Sequence, residues 1–124
     1  MRKVAILGIG QIKIDEHWDL SLRELGGNAA FAAMQDAGMD KVDALFVGNM
    51  LSPLVSGQNQ LGTFFSDWIG LWGQEAVKVE AACASGAAAL RSALMAVASG
   101  DIDIIVSGAA ERLDAAARAA RQRV

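Results

Sequence analysis

Short apolar runs alternate along the chain with longer segments in which apolar residues recur at helical spacing. The short runs are continuous stretches of Val, Ile, Leu and Ala, which is typical of parallel strands buried on both faces. They predict four strands, near residues 3–9, 43–48, 76–82 and 102–107.

Three of the longer segments predict helices. Ser21 and Glu24 have the spacing of a capping box, which predicts a helix that begins at Ser21 and ends at Gly38. Gly70 closes the second helix, which has the clearest apolar stripe in the chain. That stripe comprises Leu61, Phe64, Phe65, Trp68 and Ile69.

The third helix is predicted from Ser85 to Ser99, with Gly100 as its stop. Ala and Gly dominate it and only Arg91 carries a charge, so we expect it to be the most buried helix. Strands alternating with helices imply an α/β sandwich with a mainly parallel sheet covered by helices. Residues 112–124 hold four Arg among many Ala and predict a divergent helical tail beyond a domain spanning residues 1–111.

Composition excludes several classes of protein. A length of 124 residues fits one domain, and a hydrophobic fraction of 53% supplies a core. The net charge of −3 provides no basic field for nucleic acid. One cysteine and one histidine exclude a disulfide framework and a Cys/His zinc site within one chain, so we expect no metal.

Targeting and cofactor signals are also missing from the sequence. The tract 81–98 is rich in small residues and interrupted by Arg91, so we expect no membrane span and a cytoplasmic protein. Gly8 and Gly10 follow the first predicted strand, but Lys13 occupies the place of the third glycine of a dinucleotide-binding loop. We therefore expect no bound cofactor.

The only cysteine, Cys83, lies where the third predicted strand turns into the third predicted helix. This turn is at the carboxyl end of a strand, where open parallel sheets bind ligands, and the start of a helix favours a thiolate. The small neighbours Ala82, Ala84 and Gly86 would let a substrate carbonyl reach the sulfur. The spacing alone fits a buried structural cysteine equally well.

Six stretches of the chain, taken together, resemble one known family, and the stretch around Cys83 is the most specific of the six. They are Val4–Gln11, Val47–Met50, Gly57–Asn59, Val79–Gly86, Ala98–Gly100 and Ser107–Gly108. Together they resemble the first half of the thiolase superfamily, and the nearest branch is that of sterol-carrier-type thiolases and acetyl-CoA acetyltransferase-like proteins. The resemblance implies that Cys83 is the acyl-accepting nucleophile and that acyl-CoA is the substrate. The implied reaction is a Claisen condensation, or thiolysis of a 3-ketoacyl-CoA, through an acyl-cysteine.

The chain also departs from that family. Members of the thiolase superfamily have a second half that supplies a histidine and, in many members, a second cysteine. Neither motif occurs in this sequence. His17 matches no catalytic position and is expected in a loop, and Gln60 stands where relatives often carry His. We therefore expect the chain alone to be catalytically incompetent. The alternative functions are a non-catalytic thiolase-fold subunit for assembly with a partner, and a degenerate fragment without activity.

Two further pairs of residues have ordinary explanations. Trp68 and Trp72 could line an acyl pocket, but their spacing favours packing in the core or between subunits. Asp101 and Asp103 follow a helix end, which is more typical of a solvated turn than of a metal site.

Half of a two-half fold leaves apolar surface open, so we expect a homo-oligomer, most simply a two-fold dimer, or a second thiolase-like chain as partner. The resemblance places residues 76–82 near the two-fold contact. Light scattering at micromolar concentration tests this expectation, and a 13.0 kDa monomer without a partner chain would contradict it.

Overall fold

Three strands form a parallel sheet in this computed structural model, which describes residues 1–112. They are β1 (Ala44–Gly48), β2 (Glu75–Val79) and β3 (Ile105–Ala109). The spatial order is β2-β1-β3, and Ala44 is aligned with Glu75 on one side and with Ile105 on the other. All the pairings are parallel, as the alternation of strands and helices predicts.

Within residues 1–112, four helices connect and cover the strands. They are α1 (Leu22–Asp36), α2 (Ser52–Val55), α3 (Leu61–Ile69) and α4 (Ser85–Ser99). The predicted tail over residues 112–124 lies outside the described residues, except for Arg112.

The side chains of β1 alternate between two cores. Leu45 and Val47 belong to the cluster built with α1 and α3, whereas Ala44 and Phe46 pack with Ala93 of α4. This alternation follows from the two-residue period of a strand. Helices therefore cover both faces of the sheet, as expected, and every residue of β1 is buried.

Local sequence signals set the helix ends. The Ser21 hydroxyl accepts the Glu24 N–H at 3.2 Å, and the Glu24 carboxylate accepts the Ser21 N–H at 2.7 Å, which completes the predicted capping box. Gly70 and Gly100 end α3 and α4 in the left-handed conformation, at φ 75° and 99°. Glycine adopts this conformation without steric cost, so these two ends are confirmed as predicted.

The predicted strand at residues 3–9 is wrong. Residues 1–20 form neither helix nor strand and do not join the sheet, whose order is β2-β1-β3. The segment instead lies against α1: a Cβ on Gly8 would be 2.5 Å from the Ala37 nitrogen, and one on Gly10 would be 2.2 Å from the Ala33 nitrogen. Its backbone bonds to helices, as when the Arg2 N–H donates to the Ala98 carbonyl at 3.0 Å.

The last strand begins later than the sequence predicts, at residue 105 instead of 102. Just before the strand, a side chain takes the place of a backbone partner: the Ile104 N–H donates to the Asp43 carboxylate at 2.9 Å. Asp103 forms an ion pair with Arg2 at 2.7 Å, so this acidic residue lies in an exposed connection. The third predicted strand likewise ends at Val79 and not at residue 82, because the chain turns towards α4 there.

The expectation that α4 is the most buried helix is also wrong, since five of the nine residues of α3 are buried and only four of the fifteen residues of α4. One face of α4 packs on the sheet through Ala89 and Ala93, both of which are buried. The neighbouring flank of α4 includes Leu90 and Leu94, with exposed fractions of 52% and 47%. The high alanine content of α4 predicts that all of its faces are buried. Within residues 1–112, however, α4 lies on the outside of the sheet, and only the face that contacts the sheet is covered.

One stretch, Ala82–Ser99, is long and apolar enough to cross a membrane by length and composition only, with a mean hydropathy of 1.3. The core helix of a soluble protein passes the same test, so this finding is weak evidence for a membrane span. Its small residues pack against β1 and β3.

The capping box generates a pH-dependent prediction. Hydrogen bonds from the Ser21 hydroxyl and backbone hold the pKa of Glu24 below its usual value of 4.5. The stabilisation is therefore present above that value and is lost as the pH falls through the lower, folded-state pKa. Ser21→Ala should reduce the free energy of unfolding by about 1 kcal/mol at neutral pH and by less in strong acid.

Urea unfolding at the two pH values measures this difference. Ser92→Ala is the control, because the Ser92 hydroxyl only bonds to Ala88 within α4. A loss for Ser21→Ala that is the same at both pH values would contradict the role of the ionised carboxylate.

Candidate active site

Cys83 lies in the turn that joins the end of β2 to the start of α4, as the sequence predicts. Its thiol is free and exposed. This exposure differs from the burial of an ordinary core cysteine, which was the alternative that the spacing left open. The thiol is accessible at the carboxyl end of a parallel strand.

The residue before the cysteine has an unusual backbone conformation. Ala82 has φ 48°, and it is the one residue other than glycine with a positive φ among residues 1–112. The left-handed region costs an alanine roughly 1 kcal/mol, so the surrounding contacts have to hold it there. Such strain is common where a strand turns sharply to present a nucleophile.

Hydrogen bonds from both sides hold this turn. The Ala82 N–H donates to the Glu80 carboxylate at 2.7 Å, and the Ala82 carbonyl accepts the Ser85 hydroxyl at 2.7 Å. The Ala81 N–H donates to the same Ser85 oxygen at 2.9 Å. The turn is therefore tied to the first residue after β2 and to the first residue of α4.

A close approach of backbone places α4 directly on the end of β1. A Cβ on Gly48 would lie 2.4 Å from the Ser85 carbonyl oxygen and 2.7 Å from the Gly86 nitrogen. Backbone atoms cannot yield to a side chain as a flexible side-chain end can, so only glycine fits there. A Cβ on Gly86 would in turn lie 3.0 Å from the Ala109 Cβ at the end of β3.

Asn49 joins the carboxyl ends of the sheet. This residue is 1% exposed, and its side-chain amide donates to the Ala110 carbonyl beyond β3 at 2.7 Å. Its side-chain oxygen accepts the Ser52 N–H at 2.9 Å, and its own N–H donates to the Val79 carbonyl at 3.2 Å. A buried amide satisfied in this way fixes its neighbours, because leaving any of these groups unpaired costs free energy.

The sequence signals for these supporting residues are weak. The sequence indicates Ser85 only as the start of a helix and Asn49 only as part of a stretch that resembles the family. A polar residue that directly follows a continuous apolar strand, as Asn49 follows 44–48, is the signal that could have indicated a buried hydrogen-bonding role.

The other candidate residues lie in ordinary surroundings. His17 is half-buried in the segment before α1, and its Nε2 lies 2.7 Å from the Lys13 carbonyl oxygen. Gln60 is exposed at the start of α3 and makes no side-chain capping bond there. Within the described part of the chain, no group of three or more His, Cys, Asp or Glu side chains could hold a metal ion.

The two tryptophans differ in environment. Trp68 packs on α1, where a Cβ on Gly27 would lie 2.2 Å from its Cδ1 atom. Its indole is also 5.9 Å from the Arg23 guanidinium carbon. Trp72 is exposed. Trp68 is 42% exposed, so it contacts α1 from the surface, and within residues 1–112 neither tryptophan lies in the core.

Comparison with known proteins places these features in a family context. The family model described as "Thiolase, N-terminal domain" matches residues 4–124. An acetyl-CoA acetyltransferase of Methanothermobacter thermautotrophicus is 43% identical over 115 residues, which are 91% of this chain and 30% of that protein. One from Methanocaldococcus jannaschii is 42% identical over 115 residues, 91% of this chain and 29% of that protein. The chain thus spans about 30% of the length of these curated relatives.

More distant similarities agree with the architecture. A benzoylsuccinyl-CoA thiolase subunit of Thauera aromatica is 33% identical over 109 residues, 85% of this chain and 27% of that protein. The crystal structure of 3-oxoacyl-[acyl-carrier-protein] synthase III from Aquifex aeolicus superposes with a TM-score of 0.69. It is 20% identical and is matched over 77% of this chain and 31% of its own length, so this likeness shows the fold alone.

Proposed function

Because the chain belongs to the thiolase family, we propose that Cys83 is the acyl-accepting nucleophile of a thiolase-type acyl-CoA C-acyltransferase. The observation that carries the proposal is the exposed thiol on a strained turn between β2 and α4. Relatives at 42% and 43% identity that are named acetyl-CoA acetyltransferase support this class of reaction.

In the first half-reaction the Cys83 sulfur attacks the carbonyl carbon of an acyl-CoA thioester. A bond forms between this carbon and the Cys83 sulfur, and the bond from the carbon to the CoA sulfur breaks. The thiol proton goes to the departing CoA sulfur. One thioester replaces another, so the step has nearly balanced free energy and depends mainly on how well the thiol is placed.

In the second half-reaction the α-carbon of another acyl-CoA attacks the acyl-cysteine carbonyl. A carbon–carbon bond forms and Cys83 leaves as a thiolate, which yields a 3-ketoacyl-CoA; thiolysis is the reverse of these steps. The α-carbon must lose its proton to a base. The sequence offers one histidine, and its Nε2 already contacts the Lys13 carbonyl.

We infer that the base and a second acid come from sequence outside these 124 residues, on the same polypeptide or on a second thiolase-like chain. The chain spans about 30% of its relatives, which is consistent with such a contribution. The 124 residues would then support acylation of Cys83 but not carbon–carbon bond formation.

A second candidate function is a non-catalytic subunit with the thiolase fold. The presence of a single histidine and a single cysteine favours it, because the family reaction needs further acid–base groups. In that case Cys83 would remain unmodified, and the chain would bind a larger thiolase-like partner.

Incubation with acetyl-CoA followed by intact-mass measurement separates the two functions. We expect one acetyl group per chain in the wild type and none in Cys83→Ser, because a hydroxyl at this position lacks the nucleophilicity of a thiolate. Peptide mapping should place the acetyl group on Cys83.

Wild-type protein that stays unmodified would contradict the proposed nucleophile, as would an adduct retained in Cys83→Ser. An unmodified chain that binds tightly to a larger thiolase-like chain would instead support the non-catalytic subunit.

A further inference from the structure

Ser85 stands at the first position of α4 with an exposed fraction of only 4%. Its hydroxyl makes two hydrogen bonds, and both point back into the turn. It accepts the Ala81 N–H at 2.9 Å and donates to the Ala82 carbonyl at 2.7 Å. The hydroxyl thus bonds on both sides of the peptide that joins Ala81 to Ala82.

This arrangement differs from ordinary helix capping. A capping serine stands one residue before the helix and accepts an N–H from the first turn. That place is occupied by Ala84, and no side chain caps α4. The Ser85 hydroxyl therefore stabilises the turn that carries Cys83 and not the first turn of the helix.

The orientation of Cys83 depends on this turn. Ala82 precedes it directly, and its φ of 48° sets the direction in which the next residue leaves the strand. Without contacts that hold it, Ala82 would favour a negative φ, and the Cys83 side chain would then point in a different direction. The Ala82 carbonyl also accepts the Ser85 N–H at 3.1 Å, and the Glu80 carboxylate accepts the Ala82 N–H at 2.7 Å. Glu80 is exposed, so its bond competes with water, whereas Ser85 is buried.

We propose that Ser85 is a positioning residue for Cys83, whose hydroxyl holds Ala82 in the left-handed conformation and so directs the sulfur for acyl transfer. This inference rests on the proposed function of Cys83. It assigns to Ser85 no contact with the substrate and no proton transfer. Its effect is on the rate at which a bound acyl-CoA reacts and not on the affinity for acyl-CoA.

Three variants of the full chain test the assignment. Ser85→Ala removes the hydroxyl, and Ser85→Thr retains it. Ser92→Ala is the matched control, since Ser92 is in the same helix and its hydroxyl bonds only to the Ala88 carbonyl.

The first measurement is amide hydrogen exchange at Ala81, whose N–H is bonded to the Ser85 oxygen. We expect exchange to be at least about tenfold faster in Ser85→Ala and unchanged in Ser92→Ala. Ser85→Thr should restore slow exchange. Unchanged exchange in Ser85→Ala would overturn the proposal, whatever happens to acyl transfer.

The second measurement is the rate of Cys83 acetylation over a range of acetyl-CoA concentrations. The maximal rate should fall about tenfold in Ser85→Ala, while the half-saturating concentration stays the same, because misplacement of a nucleophile slows the step without weakening binding. Ser85→Thr should recover most of the rate. A loss that is equal in Ser92→Ala, or one that Ser85→Thr does not reverse, would contradict positioning by the hydroxyl.

Ser85→Cys keeps the proposal testable if Ser85→Ala fails to fold. A thiol is a weaker hydrogen-bond donor and acceptor than a hydroxyl, so acetylation of Cys83, located by peptide mapping, should be slowed in the same direction. Acetylation of Cys83 at the wild-type rate in Ser85→Cys would then count against the proposal. If the wild type itself takes up no acetyl group, the proposed function is contradicted, and the role of Ser85 falls with it. If the wild type is acetylated and Ser85→Ala reacts equally fast, only the role of Ser85 is overturned.

Discussion

The candidate site depends on the absence of a side chain at Gly48. Gly48 ends the central strand, and its bare backbone lets the first residues of α4 lie within van der Waals distance of it. Because α4 begins there, the turn from β2 has very few residues in which to reverse direction. The turn meets this constraint with a left-handed Ala82, and Cys83 is exposed as a consequence. A larger residue at position 48 would displace the helix, the turn and the thiol together.

Hydrogen bonds at the carboxyl ends of the strands reinforce this arrangement. Asn49 bonds to the last residue of β2, to the residue after β3 and to the start of α2, so the three strand ends are held together. Ser85 then joins the turn to α4. The rigid sheet thus supports the thiol through backbone contacts and short polar side chains. Such support suits a nucleophile whose reaction rate depends on placement.

The sequence predicts most of the fold because its signals are local. The apolar stripe of α3, the capping box at Ser21 and the closing glycines Gly70 and Gly100 need no knowledge of the tertiary structure. The location of Cys83 between strand and helix was predictable for the same reason. The apolar run at residues 4–8 looks like a strand, but a run cannot reveal that the flanking residues Arg2 and Ile9 bond to α4 and α1. Similarly, the alanine content of α4 says nothing about which of its faces is covered.

The supporting contacts of the site could not be predicted because they join distant residues. Asn49 reaches residue 110, and Gly48 approaches residues 85 and 86. The free energy of unfolding of Gly48→Ala, measured by urea denaturation beside Gly108→Ala, tests the central constraint most directly. Gly108 lies on the adjacent strand with open space around it. We predict a loss of about 2 kcal/mol for Gly48→Ala and almost none for Gly108→Ala. Equal stability of the two variants would contradict the account.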